Sequence, residues 1–192
     1  MFTTMMQQHR DLVRKTTVKV LLSEDELRDG VKRMADEINA QLENETLTVI
    51  AVMTGSLVLV ADLIRYLSMP VQLGALLASS YRGETTRGDL EIDHAMLPDL
   101  TDERVLVVDD IFDTGHTLDN VMQCLKQLGP SEIHSAVLLQ KSNCQQVQMN
   151  PDFIGFEIPD EFVVGYGLDY KNLFRNLPYV AAMESHDLTD FE

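Results

Sequence analysis

Short apolar segments alternate with helix-like segments through the middle of the chain, between residues 47 and 140. Two of them, Leu47–Met53 and Val105–Val108, are bounded by polar turns and have the length and composition of buried strands. Strands that alternate with helices form a parallel sheet with the helices packed on its faces. The expected fold class is therefore α/β, with a parallel β-sheet core flanked by helices.

Local signals place helices and further strands around this sheet. The sequence Ser23-Glu24-Asp25-Glu26 has the spacing of a capping box, and the apolar residues after it fall on one helical face. A later apolar stripe from Leu118 to Leu128 predicts a helix that Gly129-Pro130 stops. The remaining predicted elements are a turn at 54–56, a helix near Leu57–Leu67, strands at Leu73–Ser80 and Ile133–Leu139, a mobile loop at Tyr81–Leu90, a loop at Asp109–His116, and a β-rich, turn-rich region from Phe153.

The net charge of −16 limits the classes of partner. Such a surface repels nucleic-acid backbones and small anions alike, so a phosphate site must be built locally from backbone N–H groups, metal ions and a few basic side chains. No apolar run approaches the roughly 18 residues of a membrane span, and no signal peptide is evident. Cys124 and Cys144 lack metal-site spacing. We expect a cytoplasmic protein with reduced thiols and neither a nucleic-acid nor a membrane partner.

The segment Val105–Thr117 carries the strongest functional signal. A buried strand ends in Asp109 and Asp110, a third acid follows at Asp113, and a Thr-Gly-His-Thr turn opens a helix. A helix N-terminus offers unpaired N–H groups and a positive dipole end, which suit a phosphate, and Gly115 lets the backbone approach it. Carboxylates accept hydrogen bonds from the vicinal hydroxyls of a ribose. The segment could merely end a strand and cap a helix, but its strand–turn–helix context favours a sugar-phosphate site.

Polar loops follow several of the predicted strands. In a parallel sheet, ligands bind outside the carboxyl ends of the strands. We therefore expect the loops at 54–56, 81–90, 109–117 and 141–144 to meet at one edge of the sheet.

The central segment resembles the phosphoribosyl-pyrophosphate signature of type I phosphoribosyltransferases: a strand, two acids, two bulky residues, then D-T-G-x-T. The resemblance implies that Asp109 and Asp110 bind the ribose hydroxyls and help to hold Mg²⁺, and that Asp113 accepts a proton near purine N7. It also implies one domain, with a core at about 47–150 and a small β-rich hood from the N-terminal segment and about 151–192. The 5′-phosphate loop would comprise Asp113, Thr114, Gly115, His116 and Thr117.

The chain from about residue 47 to 183 further resembles the hypoxanthine-guanine branch of that family. The resemblance is carried by Met53–Ser56 with Ala61–Leu63, by Ser80-Tyr81, by Lys141 after Val137–Gln140, and by the run from Pro151 to Leu177. The implied roles are pyrophosphate binding by Thr54, Gly55, Ser56 and Arg175, a closing lid at Ser80 and Tyr81, contact with the purine 6-oxo group by Lys141, stacking on the purine by Phe162, backbone contacts to the purine edge by Val163, and magnesium binding by Asp169.

Two positions depart from the family pattern. Thr54 stands where many relatives have a basic residue, and His116 stands where some have lysine. Pyrophosphate would then depend on backbone N–H groups, Ser56, Arg175 and metal. Some relatives have a non-proline cis peptide in this loop, which here would be the Met53–Thr54 bond.

The activity implied by the resemblance is purine salvage. The enzyme would transfer phosphoribosyl from phosphoribosyl pyrophosphate (PRPP) to N9 of hypoxanthine and guanine, with Mg²⁺ as cofactor. Lys141 can only donate a hydrogen bond, so a 6-oxopurine is expected rather than adenine. The alternatives are a xanthine- or guanine-preferring transferase and a nucleic-acid-binding regulator that senses PRPP; the negative charge argues against the regulator. Self-association as a homodimer or homotetramer is expected from the resemblance.

Overall fold

The computed structural model describes residues 19–43, 45–80, 90–93 and 95–183. The strands and helices in these ranges are β1 (Lys19–Leu22), α1 (Glu24–Gln41), β2 (Leu47–Met53), α2 (Leu57–Leu63), β3 (Val71–Ser80), β4 (Leu90–Asp93), β5 (Arg104–Phe112), α3 (His116–Lys126), β6 (Glu132–Lys141), β7 (Phe153–Ile158), β8 (Val163–Val164) and β9 (Val180–Ala182).

Six strands form the larger sheet in the order β4-β3-β2-β5-β6-β7. The five strands from β3 to β7 in that order are parallel to their neighbours, and β4 lies antiparallel to β3 at the edge. This confirms the predicted α/β class with a parallel sheet flanked by helices. Because these five strands run in one direction, the segments that follow Met53, Ser80, Phe112, Lys141 and Ile158 leave from the same edge.

Helices cover both faces of this sheet. Val49 and Ala51 of β2 pack on the face covered by α1 and α2, whereas Ile50 and Val52 pack on the face covered by α3. A strand that is buried on both faces has a nearly continuous run of apolar residues in its sequence. This is why the bounds of β2 were predicted as observed.

The first helix begins as its sequence predicts. The Ser23 side chain accepts the N–H of Glu26, and the Glu26 carboxylate accepts the N–H of Ser23, so the capping box is present. The predicted apolar face of α1, from Leu27 to Leu42, is buried. This face packs against the large sheet, and no room remains between Gly30 and the Phe156 ring for a β-carbon.

A second, antiparallel sheet forms from both ends of the described chain, in the order β1-β9-β8. Its bounds differ from the expected hood in two ways. β7 is not part of it, because Phe153–Ile158 continues the large sheet in parallel register with β6. The N-terminal segment also supplies α1 to the core. The small sheet therefore takes its C-terminal strands from Val163 onward rather than from about 151.

Some local elements also differ from expectation. The strand predicted at Val105–Val108 runs on to Phe112, because Asp109, Ile111 and Phe112 keep their pairing with β6. The predicted loop at Asp109–His116 is thereby reduced to residues 113–115. Leu128 lies beyond the end of α3 and is exposed rather than buried.

Two further sequence expectations can be compared with the structure. Both cysteines of the chain are thiols and not a disulfide. Within the ranges given above, α1, α2 and α3 are each too short or too polar to cross a membrane.

Candidate active site

A cleft of about 270 Å³ opens at the carboxyl edge of the large sheet. Four segments line it: the end of β2 with the turn after it, β3 at Ala78, the end of β5 with the start of α3, and the turn that carries Asp169 and Arg175. The sequence-predicted site residues that line this cleft are Gly55, Asp109, Asp110, Asp113, Thr114, Gly115, Thr117, Asp169 and Arg175.

The segment between β5 and α3 has the form expected for a phosphate loop. Gly115 has φ +88°, and a β-carbon there would lie 2.8 Å from the Phe112 ring, so this position favours glycine sterically and conformationally. The first N–H groups of α3 have no partners within the helix. Thr114 and Thr117 line the cleft beside them, whereas the His116 ring is exposed and its Nε2 lies 3.3 Å from Gln146 Oε1.

Asp109 and Asp110 form an acidic pair at the floor of the cleft. Burial raises the pKa of both carboxyls, and the neighbouring Asp110 raises the pKa of Asp109 further. The backbone N–H of Asp110 donates to Asp109 Oδ1 at 2.9 Å. Hydroxyl donors or a cation in the cleft would offset the cost of holding these two charges together.

The turn after β2 is fitted between two other segments. A β-carbon at Gly55 would overlap the Asp110 carboxylate, and one at Gly167 would overlap the Gly55 carbonyl oxygen. The Met53–Thr54 peptide is cis, as suggested by the resemblance.

Ser56 contributes to this turn in a different way from that expected. Its side chain is buried, and its hydroxyl donates to the Val52 carbonyl at 2.7 Å. The hydroxyl is thus used in a hydrogen bond with the backbone at the end of β2 and is not directed at a ligand. Thr54 is exposed at the neighbouring position.

Asp169 and Arg175, which were given separate roles, are paired with each other. Arg175 Nη2 lies 2.8 Å from Asp169 Oδ1, and Arg175 Nη1 donates to the Gly167 carbonyl at 2.6 Å. Asp169 Oδ2 also accepts the N–H of Asn172 at 2.8 Å. The guanidinium is therefore held at the cleft by the turn that carries it.

Lys141 lies at the end of β6 between two carboxylates. Its Nζ is 3.0 Å from Asp113 Oδ2 and 3.1 Å from Asp160 Oδ1. Burial lowers the pKa of the Lys141 ammonium, but its hydrogen bonds with Asp113 and Asp160 more than offset this, so the pKa is raised. The same hydrogen bond from Lys141 lowers the pKa of Asp160, with a further contribution from Cys144.

Asp160 is a site residue that the sequence interpretation missed. The available signal was its position two residues after the end of β7, since acids that follow neighbouring parallel strands meet at one edge. Ligand atoms of Asp113, Cys144 and Asp160 lie within 4.8 Å of one another, as in a metal site. Here the Lys141 ammonium already bridges the two carboxylates and supplies the positive charge.

Residues 18–171 match the phosphoribosyl transferase domain family. The chain belongs to this family. It is 40% identical over 169 residues to the hypoxanthine phosphoribosyltransferase of Buchnera aphidicola subsp. Schizaphis graminum, covering 86% of this chain and 96% of that protein. It is 34% identical over 167 residues to the hypoxanthine-guanine phosphoribosyltransferase of Streptococcus pneumoniae, covering 86% of this chain and 93% of that protein. The crystal structure of a hypoxanthine-guanine phosphoribosyltransferase from Bacillus anthracis superposes with a TM-score of 0.82 at 37% identity, covering 86% of this chain and 98% of that one.

In this phosphoribosyltransferase, the strand β8 lies at one edge of the small sheet, with no further strand beside it among the described residues. Phe162, which is 41% exposed, packs edge-on against Tyr170 with 5.5 Å between ring centroids, and its carbonyl accepts the N–H of Met183. Hydrogen-bonded and non-bonded pairs alternate along an antiparallel ladder, so the next pair, Val163 with Ala182, is a non-bonded one. The Val163 N–H and C=O therefore face the open edge.

The lid expected at Ser80 and Tyr81 is only partly within the described ranges. Ser80 is the last residue of β3, which ends at the same edge as the cleft. Tyr81 lies outside the described residues.

Proposed function

We propose that this enzyme salvages purines by transferring the phosphoribosyl group of PRPP to N9 of hypoxanthine and guanine, giving IMP or GMP and pyrophosphate. The observation that carries this proposal is the position of Asp113. Asp113 lines the cleft as part of the phosphate loop, and its carboxylate accepts a hydrogen bond from Lys141. Lys141 can in turn donate to a purine. The names of the similar proteins point to the same bases.

The PRPP half of the site would use the segments that line the cleft. We infer that the N–H groups at the start of α3, with Thr114 and Thr117, hold the 5′-phosphate. Asp109 and Asp110 would accept the ribose hydroxyls. Because Ser56 is turned inward and Thr54 carries no charge, pyrophosphate would depend on Arg175 and on backbone N–H groups near Gly55.

The purine half of the site would lie between Lys141 and the edge of β8. Phe162 would stack on the base, and the Val163 backbone would pair with its edge. Lys141 would donate to the 6-oxo group, which draws electron density from the imidazole ring. Asp113 would accept the proton that the ring loses as N9 attacks the ribose C1 carbon and pyrophosphate leaves.

The acidic residues of the cleft suit magnesium. Carboxylate oxygens are ligands that Mg²⁺ prefers, and the pKa values of Asp109 and Asp110, raised by burial, indicate two acids that a cation would stabilise in their charged forms. We propose that these two residues and Asp169 hold it. When bound, Mg²⁺ would supply positive charge to the departing pyrophosphate.

Two alternative functions can be separated by experiment. A regulator that binds nucleic acid is not favoured, because the net charge is −16 and the similar proteins are named as transferases. A xanthine- or guanine-preferring transferase differs from our proposal only in its base. Steady-state kinetics with hypoxanthine, guanine, xanthine and adenine decides between them, and a gel-shift assay tests nucleic-acid binding.

The expected kinetic result follows from the Lys141 ammonium. Hypoxanthine and guanine should be turned over, with hypoxanthine preferred, and adenine should not, because its 6-amino group cannot accept from Lys141. Efficient adenine turnover would contradict the assignment of Lys141. Absence of turnover with all four bases would contradict the proposed function itself.

We also propose that the enzyme self-associates as a homodimer or homotetramer. Leu57 of α2 and Leu73 and Leu77 of β3 are each more than half exposed. Burying such apolar side chains against a second copy would be favourable. Light scattering of wild type and Leu73→Glu tests this, since a monomeric wild type would exclude it. The cytoplasmic location stays a prediction.

A further inference from the structure

The three hydrogen-bond donors of the Lys141 ammonium are unequally used. Asp113 takes one and Asp160 takes a second, and the described residues contain no other hydrogen-bond partner for Nζ. The lysine side chain is only 10% exposed, so water reaches little of it. One N–H therefore remains for a ligand atom.

The two carboxylates differ in what else they can do. Asp113 lines the PRPP cleft and is the proposed proton acceptor, so its bond with Lys141 must weaken as it engages the base. Asp160 is 65% exposed and is not among the residues that line that cleft; it belongs to a separate hollow lined by residues 142–144 and 157–160. Asp160 accepts no proton in the proposed reaction, so it can keep its hydrogen bond with Lys141 while Asp113 engages the base.

The backbone keeps Asp160 within reach of Lys141. Ser142, the residue after the lysine, donates its N–H to the Ile158 carbonyl at 2.9 Å and its hydroxyl to the same oxygen at 3.2 Å. This contact ties the end of β6 to the end of β7. A nearly buried ammonium with no second carboxylate would be left uncompensated when Asp113 turns to the base.

We propose that Asp160 is a positioning residue for base recognition. It anchors the Lys141 ammonium through a different N–H from the one that Asp113 accepts, so that the third N–H is left for the 6-oxo group while Asp113 is released to accept a proton. This inference rests on the proposed function for the identity of the base. It makes Asp160 a determinant of affinity for 6-oxopurines, acting through Lys141 and touching no substrate itself.

The test compares hypoxanthine with purine, which has the same ring system but no 6-oxo group. Affinities of both for the PRPP-free enzyme are measured by calorimetry with wild type, Asp160→Asn and Asp160→Glu. The matched control is Glu157→Gln, a carboxylate that lines the same hollow and has no bond with Lys141 among the described contacts.

The expected result is a selective loss. In Asp160→Asn, the preference for hypoxanthine over purine should fall about tenfold, as expected for a weakened charge-assisted hydrogen bond. Asp160→Glu should recover most of the preference, and Glu157→Gln should keep it. If Asp160 had a purely structural role, Asp160→Asn would weaken the binding of hypoxanthine and of purine equally. The ratio of the two affinities would then be unchanged, which would overturn the inference.

Kinetics supply a second readout that separates this inference from the proposed function. With Asp160→Asn, KM for hypoxanthine should rise about tenfold, while KM for PRPP changes less than threefold. If wild type lacks transferase activity but the affinity ratio still falls in Asp160→Asn, the proposed function fails and the role of Asp160 stands. If wild type binds hypoxanthine and purine equally, Lys141 does not recognise the 6-oxo group, and the role of Asp160 is refuted.

Discussion

Replacing Gly167 by alanine should damage the PRPP site without removing any group that touches substrate. Gly167 has φ +102°, and a β-carbon built there would lie 2.1 Å from the carbonyl oxygen of Gly55. Its own N–H donates to the Arg175 carbonyl at 3.0 Å, and its carbonyl accepts from the Arg175 guanidinium at 2.6 Å. A shift of this turn therefore moves both Arg175 and the Gly55 loop.

The size of the effect follows from these distances. Restoring ordinary contact requires Gly167 and Gly55 to separate by about 1 Å, and a misplacement of about that size costs roughly 100-fold in rate. The left-handed backbone adds about 1–2 kcal/mol of instability for a residue with a β-carbon, and overpacking adds about 1–3 kcal/mol. We expect kcat/KM for PRPP to fall about 100-fold and Tm to fall by roughly 5–15 °C.

Gly129 provides a matched control for the backbone contribution. It also has a left-handed φ, +77°, but a β-carbon there would meet no atom within 4 Å. Gly129→Ala should lower Tm modestly and leave the kinetics intact. Thermal unfolding and kcat/KM for PRPP are measured for both variants below their Tm. If Gly167→Ala keeps kcat/KM within threefold of Gly129→Ala, the contact between the two loops does not position the site.

The remaining predictions concern individual charges. Asp113→Asn should lower kcat by about 10²–10⁴-fold with PRPP affinity preserved by calorimetry, because asparagine cannot accept the proton; turnover within threefold of wild type would exclude this role. Thr54→Lys should strengthen inhibition by pyrophosphate and reduce the effect of Arg175→Ala, whereas additive effects would show that Thr54 does not face pyrophosphate. The raised pKa of Lys141 contributes stability that is complete below its unfolded pKa of about 10.4 and is lost as pH rises through the folded value. The difference in unfolding free energy between wild type and Lys141→Met, measured with urea, should therefore shrink only above about pH 10; shrinkage near pH 8 would contradict the two-carboxylate environment.

Features encoded by neighbouring residues were predictable from the sequence. The capping box, the bounds of β2 and the strand–turn–helix at Val105–Thr117 each depend on a short stretch of chain, where spacing and apolar periodicity determine the hydrogen bonds. Their order also determined the parallel sheet, because alternating strands and helices leave few other ways to bury both faces. The polar ends of the strands were thereby placed at one edge before any distance was known.

Contacts between distant segments were decided only by the tertiary structure. Pairing with β6 places β7 in the large sheet. Pairing with β6 also extends β5 past Asp109 and Asp110 to Phe112, because the strand hydrogen bonds continue beyond the last residue of the apolar run. The inward turn of the Ser56 hydroxyl depends on where the end of β2 places the Val52 carbonyl, which accepts both the N–H and the hydroxyl of Ser56. The anchoring of Lys141 by Asp160 joins residues 19 positions apart, and no periodicity in a single strand reports which carboxylate a neighbouring strand will bring beside an ammonium.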